Sequence, residues 1–180
     1  TMSLKLIVGC MYSGKSSEII REARRLQSIE KQVLLINHTL DVRYANDSVC
    51  SHDKIKLDSL SLQNLMEIPD SLLQDYEYII IDESQFFADL YEFVTENVDE
   101  HKRHLIVVGL NGDSDRQTFG DIYKLYPMAD DILLLKALCC ICKDGTDALF
   151  SKKIVDSTGQ TDVGSSDKYI AVCRECYLRK

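Results

Sequence analysis

The stretch "LKLIVGCMYSGKSSE", residues 4–18, decides how the rest of the chain is read. Its first five residues form a short aliphatic run with no alternation, the pattern of a strand buried on both faces. Gly9 and Gly14 then bracket four residues, and Lys15 and Ser16 follow, which satisfies G-x-x-x-x-G-K-[ST]. The glycines let the backbone curl until its N–H groups point inward, a cradle for phosphate oxygens. A helix starting near Ser16 adds its positive end. In this reading Gly9, Met11, Tyr12, Ser13, Gly14, Lys15, Ser16 and Ser17 bind the phosphates of ATP. Lys15 reaches the β and γ groups, and the Ser16 hydroxyl helps hold Mg²⁺. The plain alternative is a glycine turn between a strand and a helix; the strand before and the helix after favour the phosphate site.

Working outward, further aliphatic runs follow at 33–37 (VLLIN), 78–82 (YIIID), 105–109 (LIVVG) and 132–135 (ILLL). Between the first two strands, Ile19, Ile20, Ala23 and Leu26 recur at helical spacing, as do Leu90, Phe93, Val94 and Val98 in segment 88–98. Strands alternating with helices predict a parallel sheet flanked by helices, an α/β fold of the phosphate-loop NTPase kind. The run at 78–82 ends in Asp82-Glu83. A carboxylate at the end of a buried strand is the usual partner of such a loop in holding Mg²⁺, which assigns Asp82 to the metal. Glu83 beside it is placed to accept a proton from an attacking hydroxyl.

The pattern changes near residue 138, so the expected division is an ATP-binding body over 1–137 and a small zinc-binding β unit over 138–180. Seven cysteines are present, an odd number that argues against a disulfide framework. Cys139-x-x-Cys142 and Cys173-x-x-Cys176 form two matched pairs suited to one tetrahedral Zn²⁺; such a site is closed and therefore structural. Cys140 stays outside it, because pairing it with Cys142 leaves a one-residue gap.

The formal net charge of −8, from 29 acids and 21 bases, disfavours a broad nucleic-acid or membrane surface. A phosphate-loop ATPase with a nucleic-acid-binding zinc ribbon is the competing class, and the acidic balance counts against it. No run is long and apolar enough to span a membrane, and no secretory signal is read at the start, so the cytoplasm is the expected compartment.

With these motifs in place, the chain resembles the type II thymidine kinase family, which joins a phosphate-loop core to a zinc-bearing lasso. The resemblance rests on "GCMYSGKSS", on "DVRY" at 41–44, on "IDESQFF" at 81–87, on "CCIC" before "FSKK", and on "DKYIAVCREC" at 167–176. It implies transfer of the γ-phosphoryl of ATP to the 5′-hydroxyl of thymidine, with deoxyuridine as a near alternative. By the same resemblance Lys15, Arg43 and Glu83 are catalytic, Glu83 as general base and Arg43 against the transferring phosphoryl. Ser16 and Asp41 lie near Mg²⁺, with Asp82 behind them. Met11, Phe86, Leu110 and Phe119 surround the base, Gln85 and Ser151 offer polar contacts, and Tyr169 with Val163, Gly164 and Ser165 forms the lasso over it. The family also implies a homotetramer and feedback inhibition by dTTP. Three departures stand out: Asn111 where an Asp is usual, Ser114 where an aromatic is usual, and Lys153 where many members carry Arg.

Overall fold

The computed structural model describes residues 1–40, 55–155 and 168–180. The runs expected as strands become β1 (Ser3–Gly9), β2 (Val33–His38), β4 (Tyr78–Ile81), β5 (His104–Leu110) and β6 (Asp131–Leu135). A further strand, β3 (Asp58–Leu62), was not foreseen; its sequence DSLSL alternates and its residues are largely exposed. The six form one sheet in the order β3-β2-β4-β5-β1-β6, with every pairing parallel.

The lack of alternation in these strands has a direct structural cause. Leu4, Leu6 and Val8 of β1, with Leu34, Ile36, Ile79, Ile81, Leu105 and Val107, pack on one face against Leu90, Phe93 and Val94. The residues between them, Ile7, Val33, Leu35, Ile80, Ile106 and Val108, pack on the other face with Ile19 and Ala23. Successive side chains enter opposite clusters, so both faces must be apolar. The first cluster is covered by α3 (Leu90–Thr95), the second by α1 (Lys15–Gln27). A short α2 (Asp70–Leu73) precedes β4. The helix expected over 88–98 changes character at its end. It runs into a π turn at Glu96–Glu100, where buried Asn97 donates to the Phe93 carbonyl and accepts from Arg103.

β6 departs from its expectation of burial on both faces. It is an edge strand, with Ile132 and Leu134 exposed at 43% and 50%. After β1 the chain moves toward the β3 side, whereas after β5 it crosses to the opposite edge at β6. The carboxyl ends of β1 and β5 therefore lie at a topological switch point, where open α/β sheets bind ligands.

Beyond the sheet come β7 (Ala137–Leu138), β8 (Asp147–Ala148), β9 (Phe150–Lys153), β10 (Tyr169–Val172) and α4 (Arg174–Leu178). β7 pairs with β8 and β9 with β10, both antiparallel. Their shared cluster holds Ala137, Cys139, Ala148, Ala171, Val172, Cys173 and Cys176, together with Cys10 from the glycine loop.

Candidate active site

The loop after β1 has the backbone its sequence requires. Gly14 is left-handed at φ 90° and caps α1 without help from any side chain. Gly9 has a steric reason instead: a Cβ there would lie 2.5 Å from Ser13 Oγ and 2.8 Å from the Leu135 carbonyl. Ser13 Oγ is buried with no hydrogen-bond partner among the described residues. The Lys15 ammonium curls back over the loop and donates to the carbonyls of Gly9 (3.2 Å) and Cys10 (2.8 Å). Ser16 and Ser17 follow in the first turn of α1, under its unsatisfied N–H groups.

Two strands away, β4 delivers the acidic pair to the same edge. The register sets Gly9 opposite Leu110 and Ile81 opposite Val107, so residues 9, 82 and 110 all leave the sheet at its carboxyl end. Asp82 is buried; its N–H donates to the Ile36 carbonyl, and its Oδ1 accepts from the Glu83 N–H at 2.8 Å. Glu83 then turns left-handed, φ 47°, in the step from β4 into the tight turn Ser84–Phe86. A non-glycine residue held there stores strain of roughly 1–3 kcal/mol, a feature that clusters at functional sites. Gln85 Nε2 donates to Glu83 Oε2 at 2.6 Å.

The residues expected around a base are partly brought together. Phe86 and Phe119 meet edge to face, centroids 5.6 Å apart, and Leu110 is tied to Gln85 by its N–H. Ser151 and Tyr169 contact the phosphate loop itself. The Met11 N–H donates to Ser151 Oγ (3.0 Å), and Tyr12 Oη donates to the Tyr169 carbonyl (3.4 Å). Cys10 Sγ completes the seam by donating to the Ala148 carbonyl (3.5 Å), with burial pushing its thiol pKa up. Three successive loop residues thus touch β8, β9 and β10 in turn. Asp41 and Arg43 with the rest of "DVRY", and Val163, Gly164 and Ser165, lie outside the described residues.

The four expected thiols converge. Cys139, Cys142, Cys173 and Cys176 present sulfurs that all lie within 4.8 Å of one another. Cys142 Sγ is 3.8 Å from Cys173 Sγ and 3.6 Å from Cys176 Sγ. Four sulfurs at ~2.3 Å around one tetrahedral ion stand about 3.8 Å apart, so the group fits Zn²⁺. Without a cation the thiols compete for protons. N–H groups led by that of Cys142 hold Cys139 down to about 6, while the bond that Cys142 donates to Cys176 raises Cys142 and burial raises Cys176. Four simultaneous thiolates need a bound cation. Cys140 is exposed and outside the group.

Sequence reasoning missed how the loop around Ser114 is held. Tyr177 Oη donates to the Ser114 carbonyl at 2.5 Å, and the Arg116 guanidinium lies 4.7 Å over the Tyr177 ring and 5.3 Å over Phe150. Two aromatics from residues 138–180 thus hold this loop, Tyr177 through the Ser114 carbonyl and both rings against Arg116. No spacing rule links residues this far apart. His38 was also missed; its ring packs on Phe86 and Phe87 at 5.7 and 4.7 Å.

A parallel α/β sheet, a glycine-lysine loop at its switch point and an acidic pair at the same carboxyl end define a phosphate-loop protein with a four-thiol centre beside the loop. The sequence profile of the thymidine kinase family matches residues 2–177. The chain is 39% identical to thymidine kinase of Fowlpox virus (strain NVSL), over 98% of this chain and 97% of that one. It is 38% identical to thymidine kinase of Rabbit fibroma virus (strain Kasza), over 97% and 96%. It is 36% identical to thymidine kinase a of Arabidopsis thaliana, over 98% and 75%. The chain belongs to the thymidine kinase family.

Proposed function

We propose that this chain transfers the γ-phosphoryl of ATP to the 5′-hydroxyl of thymidine, giving dTMP, with the work divided among three parts of one sheet edge. The observation that carries the reading is the convergence of residues 9–17, Asp82–Glu83 and Leu110 at the carboxyl ends of β1, β4 and β5, in a chain of this family.

Phosphoryl transfer asks for positioning and charge stabilisation more than covalent chemistry. The N–H groups at the start of α1 hold the donor phosphates, and Lys15 leaves its carbonyl partners to follow the transferring charge. Glu83 accepts the proton of the 5′-hydroxyl as it attacks, and Arg43 balances the charge of the transferring phosphoryl. Ser16, Asp41 and Asp82 would hold Mg²⁺, which when bound neutralises the β and γ oxygens. Met11, Phe86, Leu110 and Phe119 enclose the base, with Tyr169, Val163, Gly164 and Ser165 closing over it.

Residues 138–180 act as the zinc-holding unit, and zinc in the four-thiolate site fixes the ends of the lasso. A homotetramer fits the exposed apolar edge at Ile132, Leu134 and Leu138, with dTTP as feedback inhibitor and the cytoplasm as compartment. No helix among the described residues is long and apolar enough to cross a membrane.

The test is a product assay with Mg-ATP and thymidine, deoxyuridine, deoxycytidine and the purine deoxynucleosides, following ADP and monophosphate together. Thymidine, alone or with deoxyuridine, is expected to give monophosphate, and Glu83→Gln to lose most of the rate. ADP without any monophosphate would overturn the kinase reading and leave an ATPase.

A further inference from the structure

Gln85 stands in the tight turn directly after the acidic pair, 3% exposed. Both ends of its amide are engaged within the protein. Its Oε1 accepts from the Leu110 N–H at 3.2 Å, and its Nε2 donates to Glu83 Oε2 at 2.6 Å. The orientation of an amide is often ambiguous, but here chemistry fixes it. A backbone N–H can only donate, so the oxygen must face Leu110 and the NH₂ must face the carboxylate.

The surroundings are shaped to keep that amide in place. A Cβ on Gly109 would lie 2.6 Å from Gln85 Oε1, and a Cβ on Gly120 would run into the Gln85 carbonyl. Ser84 Oγ donates to the Val108 carbonyl at 2.7 Å and ties the turn to β5 from the other side. Glu83 itself is in a left-handed conformation, a state that persists only when neighbours over-determine it. Asp82 Oδ1 takes its N–H and Gln85 takes its carboxylate.

We infer that Gln85 is a positioning residue for Glu83 rather than a ligand of the nucleoside. Its amide bridges the end of β5 to one carboxylate oxygen, which aims the other oxygen at the acceptor hydroxyl. A charge-assisted bond of this length is stronger than a neutral one and resists rotation of the carboxylate. A misplaced catalytic group loses rate while the substrate still binds. This rests on the proposed role of Glu83 as base.

The experiment uses the full chain and two near-isosteric variants. Gln85→Met removes both bonds, whereas Gln85→Glu keeps the acceptor for Leu110 and sets a second carboxylate against Glu83. We expect kcat to fall roughly 10- to 100-fold in each, with the thymidine dissociation constant, measured by calorimetry, within about threefold of wild type. In a Glu83→Gln background the same changes should cost little more, since two residues acting through one group are not additive. A rise in the thymidine dissociation constant with kcat unchanged would make Gln85 a nucleoside ligand and overturn the inference. Full additivity with Glu83→Gln would also overturn it. Should Gln85→Met fail to fold, Gln85→Glu alone decides, because it preserves the Leu110 bond. If Glu83→Gln retains wild-type rate, the base assignment fails on its own, whatever Gln85 does.

Discussion

The sheet and the C-terminal unit fix backbone by different physics. Six parallel strands bury Leu, Ile and Val on both faces, and each fully buried side chain contributes about 1.5–3 kcal/mol. The C-terminal unit has two two-stranded ladders, and its shared cluster is mostly Ala, Cys and Val. Isolated two-stranded ladders are marginal in water, and small side chains bury little. Four sulfurs in tetrahedral reach of one another are what this unit has in place of a core. The two regions meet along residues 10–12, so the phosphate loop is braced by the less self-sufficient partner.

Metal removal breaks that contrast hardest. Structural zinc carries apparent binding energies of about 10–16 kcal/mol, more than ladders of this size supply. The protein is expected to hold one zinc per chain, lost on chelation or in Cys173→Ser. Hydrogen exchange should then show β9 and β10 deprotected while β1, β4 and β5 stay protected, and thymidine phosphorylation should collapse. Protection of β9 and β10 surviving complete metal loss would show that burial holds them after all.

The converse change belongs in the sheet. Phe93 is 2% exposed in the cluster beneath α3, and Phe93→Ala should cost about 3–5 kcal/mol. At ~2–4 °C per kcal/mol for a chain of this size, the melting temperature drops by roughly 6–20 °C. The loss should be global, with zinc still bound up to the transition. Early zinc release in this variant would mean that the two regions are one cooperative unit.

The seam is sharpened by Ser151→Ala. That change strips the half-buried Met11 N–H of its buried partner and leaves a donor unsatisfied, at about 1–3 kcal/mol. Affinity for a non-hydrolysable ATP analogue should fall roughly 5- to 150-fold. If thymidine binding weakens instead and nucleotide binding does not, Ser151 serves the nucleoside pocket and the seam transmits nothing to the loop.

How far these features were legible follows from the range of the interactions that make them. The phosphate loop, the strands and the acidic pair are local patterns, and β1, β4 and β5 form where their aliphatic runs lie. The cysteine pairs were legible because each CxxC is local, even though about thirty residues separate the two. β3 was hidden because DSLSL, at an exposed edge, carries only a weak alternating pattern. β6 was over-read: an aliphatic run of four cannot say whether its second face is covered. Ser151 on the Met11 N–H, Tyr177 on Ser114 and Gln85 between Glu83 and Leu110 are long-range or depend on side-chain direction. Resemblance placed Ser151 and Gln85 near the site without saying which group each holds.

The smallest effect concerns pH and falls on the sheet side alone. His38 is buried at the end of β2, and burial holds its pKa below the usual 6.5 despite opposing pulls from the Gln63 backbone and Asp89. Its Nδ1 accepts from the Leu40 N–H at 3.0 Å, a bond that requires the unprotonated nitrogen. His104 is likewise held below 6.5, chiefly by burial. A depressed pKa in the folded state means that the unfolded chain takes up the proton first as pH falls. The contribution is therefore complete above about pH 6.5 and is lost as pH drops through the folded values. From about pH 7.5 to about pH 5.5 the melting temperature should fall by a few degrees, and less so in His38→Asn and in His104→Asn. Because His38 packs on Phe86, acid should also loosen one wall of the proposed base pocket, raising the thymidine KM in wild type and in His104→Asn but not in His38→Asn. An acid-induced loss of equal size in both variants and wild type would place the titrating group elsewhere.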